Sequence, residues 1–341
     1  MSVTLSPYRE SVRSEGVLCE RAGEYWDANR EKARDPAFWM AHPLCREAIN
    51  RRVTGSPREW PLDWLRRVHV SQPFERGVTW GCGGGAFERS AIRTDLVRSI
   101  DAFDISRKSL EDAQNGAEAE DLSRCVHYRV GNFDDPIVPR YRYDVAFFHA
   151  ALHHVFQLER LFRRLALGLK PGGALYLDEY VGPSRHEWRP RDLDLAQAVL
   201  DMAPREAKVQ EKLLPPIEPD DPTEAIRASE IAFFVREYFD VVAWKPYGGQ
   251  IADLVFPCLE SAWTATPEGR RFVSALLTIE DREMDRDPSS THHVVAFGRL
   301  KRADRPVRFF ARQARLAWES RALRRRTRDS GSRTSALPRT R

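Results

Sequence analysis

The 341-residue chain lacks a long apolar run. Its longest, Val145 to Phe156, is broken by three histidines and falls short of the roughly 18 residues that a membrane span needs. The opening segment MSVTLSPYRESVRSEG has no apolar core, so no secretory signal is expected. There is no C-x-x-C pair. Cys19, Cys45, Cys82, Cys125 and Cys258 are scattered and odd in number, which excludes a disulfide frame and a cysteine zinc site. A reducing, cytoplasmic setting is the expectation. Internal repeats and flexible linkers are also missing. What is present, 42% hydrophobic and 30% charged residues, suits a folded globular chain. The net charge of +4 hides an asymmetry: from Arg299 onward there are 15 basic and 3 acidic residues, which leaves −8 on the preceding 298. The excess base belongs to the tail and not to the body.

The stretch GVTWGCGGGAF, residues 77–87, organises the rest. A short apolar run enters a glycine cluster and a helical pattern leaves it. Without side chains, Gly81, Gly83 and Gly85 let backbone N–H groups approach a ligand, and the helix that follows aims its positive end at an anionic group. A nucleotide-bearing cofactor suits such a turn. Gly81, Gly83 and Ala86 also satisfy the dinucleotide fingerprint. Asp104 stands about 20 residues further on, where an acid can bond ribose hydroxyls. At this point a nicotinamide cofactor and other adenosyl cofactors both remain open.

The first 75 residues read as a helical arm, with Tyr25, Trp26, Phe38, Trp39, Trp60 and Trp64 as buried anchors or as the aromatic faces of a lid. From Gly77 short strands alternate with helices. Strands are expected at Gly77–Trp80, Ile100–Ile105, Val126–Val130, Tyr143–His149, Ala174–Tyr180, Phe239–Trp244 and His292–Leu300. Helices are expected from Ala86 to about Ser99, after a Ser106 cap, along the apolar face Leu158, Leu161, Phe162, Leu165 and Leu169, and after a Thr223 cap. The alternation predicts an α/β fold with a parallel sheet whose strand tips line one rim. Residues 183–222 and 250–290 read as helical insertions roofing that rim, and 301–341 as a basic helix and tail.

The ordered set GCGGG (81–85), Asp104, GNF (131–133), YDVAFFHAALHH (143–154) and LKPGGALYL (169–177) resembles the class I S-adenosylmethionine-dependent methyltransferases, over about Gly77 to Leu300. The resemblance implies a Rossmann-like, seven-stranded, mostly parallel sheet with helices on both faces, and S-adenosyl-L-methionine as cofactor. It implies that Gly81, Cys82, Gly83 and Gly85 pass by the methionine part, that Asp104 and Ile105 lie at the ribose, and that Asn132 and Phe133 lie by the adenine. Thr79 and Asn132 stand where acids are common in the family. The segments EYVGPSRHEW, PTEAIRASEI and PYGG are similar to a bacterial subgroup partly associated with glycan-building enzymes, which favours a sugar or other hydroxyl-bearing acceptor.

Methyl transfer from a sulfonium mainly needs alignment and exclusion of water. A hydroxyl acceptor adds the need for a base, and histidine suits that role. The candidates are His149, which also neighbours the cofactor, His153, His154 and Glu179, with His186 nearby; the histidines of L-H-H also read as residues that fix their loop. No metal site is inferred, because no carboxylate stands at a matching spacing. The expected partner is a small-molecule or glycan-linked acceptor, with no DNA and with a membrane-surface or RNA contact only through the basic tail. Two other readings are a nicotinamide-dependent oxidoreductase and a tail-docked binding protein with a vestigial site.

Overall fold

A computed structural model of the protein describes residues 21–28, 38–185, 187–213, 221 and 223–302. His186 and the basic helix expected after residue 305 lie outside these, and the compact unit built from the described residues ends at Leu300.

Seven strands form one sheet: β1 (Phe74–Trp80), β2 (Val97–Asp104), β3 (Val126–Val130), β4 (Tyr143–His149), β5 (Leu169–Tyr180), β6 (Phe239–Gly248) and β7 (His293–Leu300). The order is β3-β2-β1-β4-β5-β7-β6. The first five run parallel, and β7 is antiparallel to both β5 and β6. Sequence order reverses between β1 and β4, and the crevice at that reversal is where open α/β sheets bind ligands.

Both faces are covered. Val145, Phe147, Ala174 and Tyr176 share a core with the helices α2 (Pro43–Thr54) and α3 (Pro61–His69) and with later helical residues such as Leu276. The alternate residues Ala146, Phe148, Leu175 and Leu177 are equally buried and point to the other face. There α6 (Leu158–Gly168) packs, and Phe162 lies 5.5 Å from Phe234 of α8 (Ile231–Tyr238). The spacing of Leu158, Leu161, Phe162 and Leu165 predicts that packing, and all four are buried.

Several expectations shift. The helix α4 (Ala86–Arg93) stops before the expected Ser99, because Thr94 and Asp95 turn the chain (Asp95 at φ 53°) and the apolar Val97 and Ile100 enter β2. The strand β5 starts at Leu169, so Pro171 and the two glycines after it lie within its span, next to a register shift against β4. Thr223 caps no long helix. Residues 223–230 are turns and a short 3-10 stretch, and the Thr223 hydroxyl bonds Asp221 instead. Ser106 does cap α5 (Arg107–Ala119), accepting from the Ser109 N–H at 3.0 Å.

The insertion after β6 forms short helices and α11 (Pro267–Arg286). Glu280 of α11 is fully buried, pairs with Arg52, and accepts the N–H groups of Gly249, Ile251 and Ala252. That one carboxylate ties the arm and the insertion to the tip of β6.

Candidate functional site

The glycine turn follows β1. Gly81, Gly83 and Gly85 have φ of 73°, 50° and 71°, a region that favours glycine. The N–H groups of Gly81 and Cys82 donate to the Phe103 carbonyl at 2.7 and 3.2 Å, which fastens the turn to the tip of β2. A Cβ on Gly85 would stand 2.3 Å from the Tyr128 hydroxyl, so this glycine serves packing. A Cβ on Gly83 or Gly84 would meet nothing within 4 Å, so these two face open space where a ligand can approach.

Asp104 ends β2 beside that space. Its Oδ2 accepts from Gly83 N–H and its Oδ1 from Ser106 N–H, both at 2.8 Å. A carboxylate has acceptor capacity beyond those two bonds. Burial raises the Asp104 pKa and outweighs the N–H donors of Ser106 and Gly83, while the charge of Asp27 pushes it further up. Phe133 lies 3.6 Å from where a Gly81 Cβ would be, and Asn132 accepts the Asp134 N–H. Open glycines, a free side of Asp104 and the Phe133 ring edge fit an adenosyl cofactor carrying an amino-acid tail.

Two more parts complete this rim: the arm that the sequence reading gave as anchors or a lid, and one residue that it missed. Helical residues 21–28 lie across it, labelled α1 here. Asp27 accepts from the Ser106 hydroxyl at 2.6 Å, Gly23 packs on Ile105, and the Trp26 ring stands edge-on to His154 at 5.4 Å. The arm thus packs against both sides of the rim. The second part is Glu88 of α4, buried next to Thr79 with one carboxyl oxygen lacking any hydrogen bond. Burial raises its pKa to about 8, against the steadying effect of its own N–H and the Thr79 hydroxyl. The signal was a glutamate one turn before the buried Ala91.

The catalytic candidates divide. His149 ends β4 with half its side chain exposed, stacked on Phe87 and 4.0 Å from the Asp178 carboxylate. Asp178 also accepts the Tyr247 hydroxyl at 2.6 Å. Glu179 is no solvated strand end: it is 1% exposed. Its Oε1 accepts the N–H groups of Ala151 and Leu152 at 2.7 and 2.6 Å, and its Oε2 meets His153 Nδ1 at 2.9 Å. Burial alone would raise the Glu179 pKa; His153 and the two N–H groups bring it below the usual value. Burial would likewise lower His153, but the Glu179 bond and the charge of Glu224 hold the imidazolium and raise it to about 9. Burial and the charge of His153 lower His154. The carboxylates that the sequence did not place beside these histidines are Asp221 and Glu224, about 70 residues downstream.

A mostly parallel sheet with a reversed-order crevice, a glycine turn facing open space and an acid at the next strand tip form the arrangement in which open α/β sheets bind nucleotide-bearing cofactors. Residues 78–177, from β1 to β5, match the family described as a methyltransferase domain. These residues carry a methyltransferase domain whose cofactor is S-adenosyl-L-methionine, which decides between the cofactors that the glycine turn left open. Similar solved structures include a methyltransferase from Mesorhizobium loti, 19% identical over 70% of this chain and 97% of that one, with a TM-score of 0.40. Phosphoethanolamine N-methyltransferase 2 of Haemonchus contortus, solved with S-adenosyl-L-methionine, is 15% identical over 82% of this chain and 59% of that one, with a TM-score of 0.46. The [4+2]-cyclase SpnF is 16% identical over 70% of this chain and 79% of that one, with a TM-score of 0.43. At these identities the likeness concerns the fold alone. No curated protein sequence matches the chain. Among the described residues, no helix is long and apolar enough to cross a membrane.

Proposed function

We propose that this methyltransferase acts in the cytoplasm on a hydroxyl of a small-molecule or glycan-linked acceptor, with His149 as the base. The observation that carries this reading is the accessible His149 imidazole at the tip of β4, backed by Asp178 at 4.0 Å. Oxygen nucleophiles gain from a base that takes the proton as the bond forms. Bound S-adenosyl-L-methionine would supply the methyl group, its sulfur keeping the electron pair of the broken C–S bond, and His149 would take the proton from the acceptor hydroxyl. Glu179 and His153 suit a different task. Both are buried and paired, and they shape the turn over Gly81 instead of exchanging protons with an acceptor. Gly83, Gly84 and Asp104 hold the cofactor, and α1 screens it from water.

The test is a screen of acceptor classes with radiolabelled methyl donor, followed by His149→Gln on the best acceptor. General-base removal lowers kcat by about 100-fold or more, while the thermal shift given by S-adenosylhomocysteine stays at the wild-type value. Label on nitrogen, or undiminished turnover in His149→Gln, overturns the reading. An RNA acceptor or a membrane contact would require the basic tail, and deletion after Lys301 separates those variants.

A further inference from the structure

We propose that His153, His154 and Glu224 form a binding site for one first-row divalent cation of the zinc type, with open positions for water or an acceptor oxygen. The two histidines are neighbours in a 3-10 turn, and Glu224 comes from the loop before α8. Their ligand atoms all lie within 4.8 Å of one another.

Three features distinguish this cluster from ordinary ion pairs. First, the rings point their Nε2 atoms inward. His153 Nδ1 is held by Glu179 at 2.9 Å, and His154 Nδ1 by the Thr223 hydroxyl at 3.2 Å with Asp221 at 3.6 Å. An outer carboxylate or hydroxyl on one ring nitrogen, leaving the other free, is how proteins orient metal-ligating histidines. Second, the central gaps are wide. His153 Nε2 is 4.0 Å and His154 Nε2 3.8 Å from separate Glu224 oxygens. That exceeds hydrogen-bond reach, yet two metal–ligand bonds of about 2.1 Å can span it. His293 gives the contrast of a closed pair, with its Nε2 at 2.9 Å from Asp253. Third, Asp221 keeps a buried oxygen with no hydrogen-bond partner, beside His154. Such an oxygen is costly unless charge or polarity arrives nearby.

Burial of both rings excludes bulk water, and Glu224, with 30% of its side chain exposed, gives access. Two imidazoles and one carboxylate suit zinc and its first-row neighbours better than magnesium or calcium. Backbone N–H groups of the same turn bond Glu179, and Ala151 presses on Gly81, so the site lies one turn from the cofactor cradle. The inference does not depend on the acceptor assignment above.

The test uses untagged full-length protein stripped with chelator and titrated with Zn²⁺ by calorimetry, with Co²⁺ absorption as a second probe. The expected result is one equivalent per chain, visible Co²⁺ bands of low coordination number, and at least tenfold weaker binding in both Glu224→Gln and His154→Ala. A wild-type circular dichroism spectrum and a cooperative thermal melt in those variants show that they are folded. Failure to bind stoichiometric Zn²⁺ while the protein still binds S-adenosylhomocysteine overturns the proposal and leaves the cluster as a proton-sharing pair. Equal Zn²⁺ affinity in wild type and both variants overturns it as well. Neither outcome touches the methyltransferase reading.

Discussion

Individual residues of the cofactor rim make opposite demands, and substitution separates them. Gly83→Ala enters open space at φ 50°, so its cost to the fold is the roughly 1–2 kcal/mol of a left-handed alanine. The added methyl occupies the cradle, so S-adenosylhomocysteine binding falls far more than stability. Gly85→Ala drives a methyl into Tyr128 and Ala113 and is expected to lower the melting temperature more than Gly83→Ala does. Calorimetry and thermal melts on both variants check this, and the reverse ranking would mean that the turn binds nothing. Glu88 gives a pH signature. Its folded pKa of about 8 lies above the ordinary 4.5, raised chiefly by burial. The folded state therefore binds the proton more tightly. The contribution is complete below the ordinary carboxylate range and is lost as pH climbs through 8, to the extent of on the order of 4 kcal/mol. Glu88→Gln should flatten that slope and, above pH 8, unfold at higher urea than wild type. These roles were unevenly legible. The turn geometry at Gly81, Gly83 and Gly85 follows from spacing, because a turn needing positive φ shows as glycine. Glu88 did not, since a buried glutamate on a helix looks like a surface one until its neighbours are known.

At the scale of elements, the turn from Ala150 to His154 is held in place by β5. Ala150 has φ 49°, a conformation that alanine adopts at a cost and keeps only where neighbours fix it. The fixing group is Glu179, which accepts two N–H groups of the turn and pairs with His153. Glu179→Ala leaves those donors and the buried His153 ring without their partner and should cost on the order of 3 kcal/mol. Glu179→Gln should cost less, because its amide oxygen still accepts from Ala151 and Leu152. Urea unfolding of the two variants measures the difference, and wild-type stability in Glu179→Ala would remove the bracing role. The strand-helix alternation made β1 to β5 readable, since β1, β2 and β4 are each followed by an apolar helical face. The place of β7 between β5 and β6 was not readable, because no local periodicity encodes which strand an antiparallel return joins. The stretch after Thr223 misled for a related reason: it has a cap residue and apolar spacing, but Thr223 and Arg227 are engaged by Asp221, Glu159 and Glu230, and these contacts replace the first turns of a helix.

Across the whole molecule, the arm joins the two ends of the rim, and that geometry makes cofactor binding depend on residues far from the glycine turn in sequence. In α1, Asp27 bonds the cap of α5 through the Ser106 hydroxyl, and Trp26 reaches His154 on the opposite side of the crevice. Further along, Trp39 donates to Asp253, and Arg52 pairs with Glu280, so the arm is fastened to the insertion as well. The Arg52–Glu280 pair is buried while Asp27 sits at an edge, so the arm has a firm root and a lighter tip. Loss of the tip bonds should then loosen the cover without unfolding the sheet. Asp27→Ala removes hydrogen bonds to the Ser106 hydroxyl and the Lys108 N–H. At roughly 1 kcal/mol net each, part of which reaches the bound state, the expected effect is about tenfold weaker S-adenosylhomocysteine binding. It should arise mostly as faster release, because a cover acts on a ligand already in place. Stopped-flow displacement checks the rate, and hydrogen exchange checks that the protection lost is confined to 21–28. A slower association rate with unchanged release would make α1 part of the encounter surface instead of a cover.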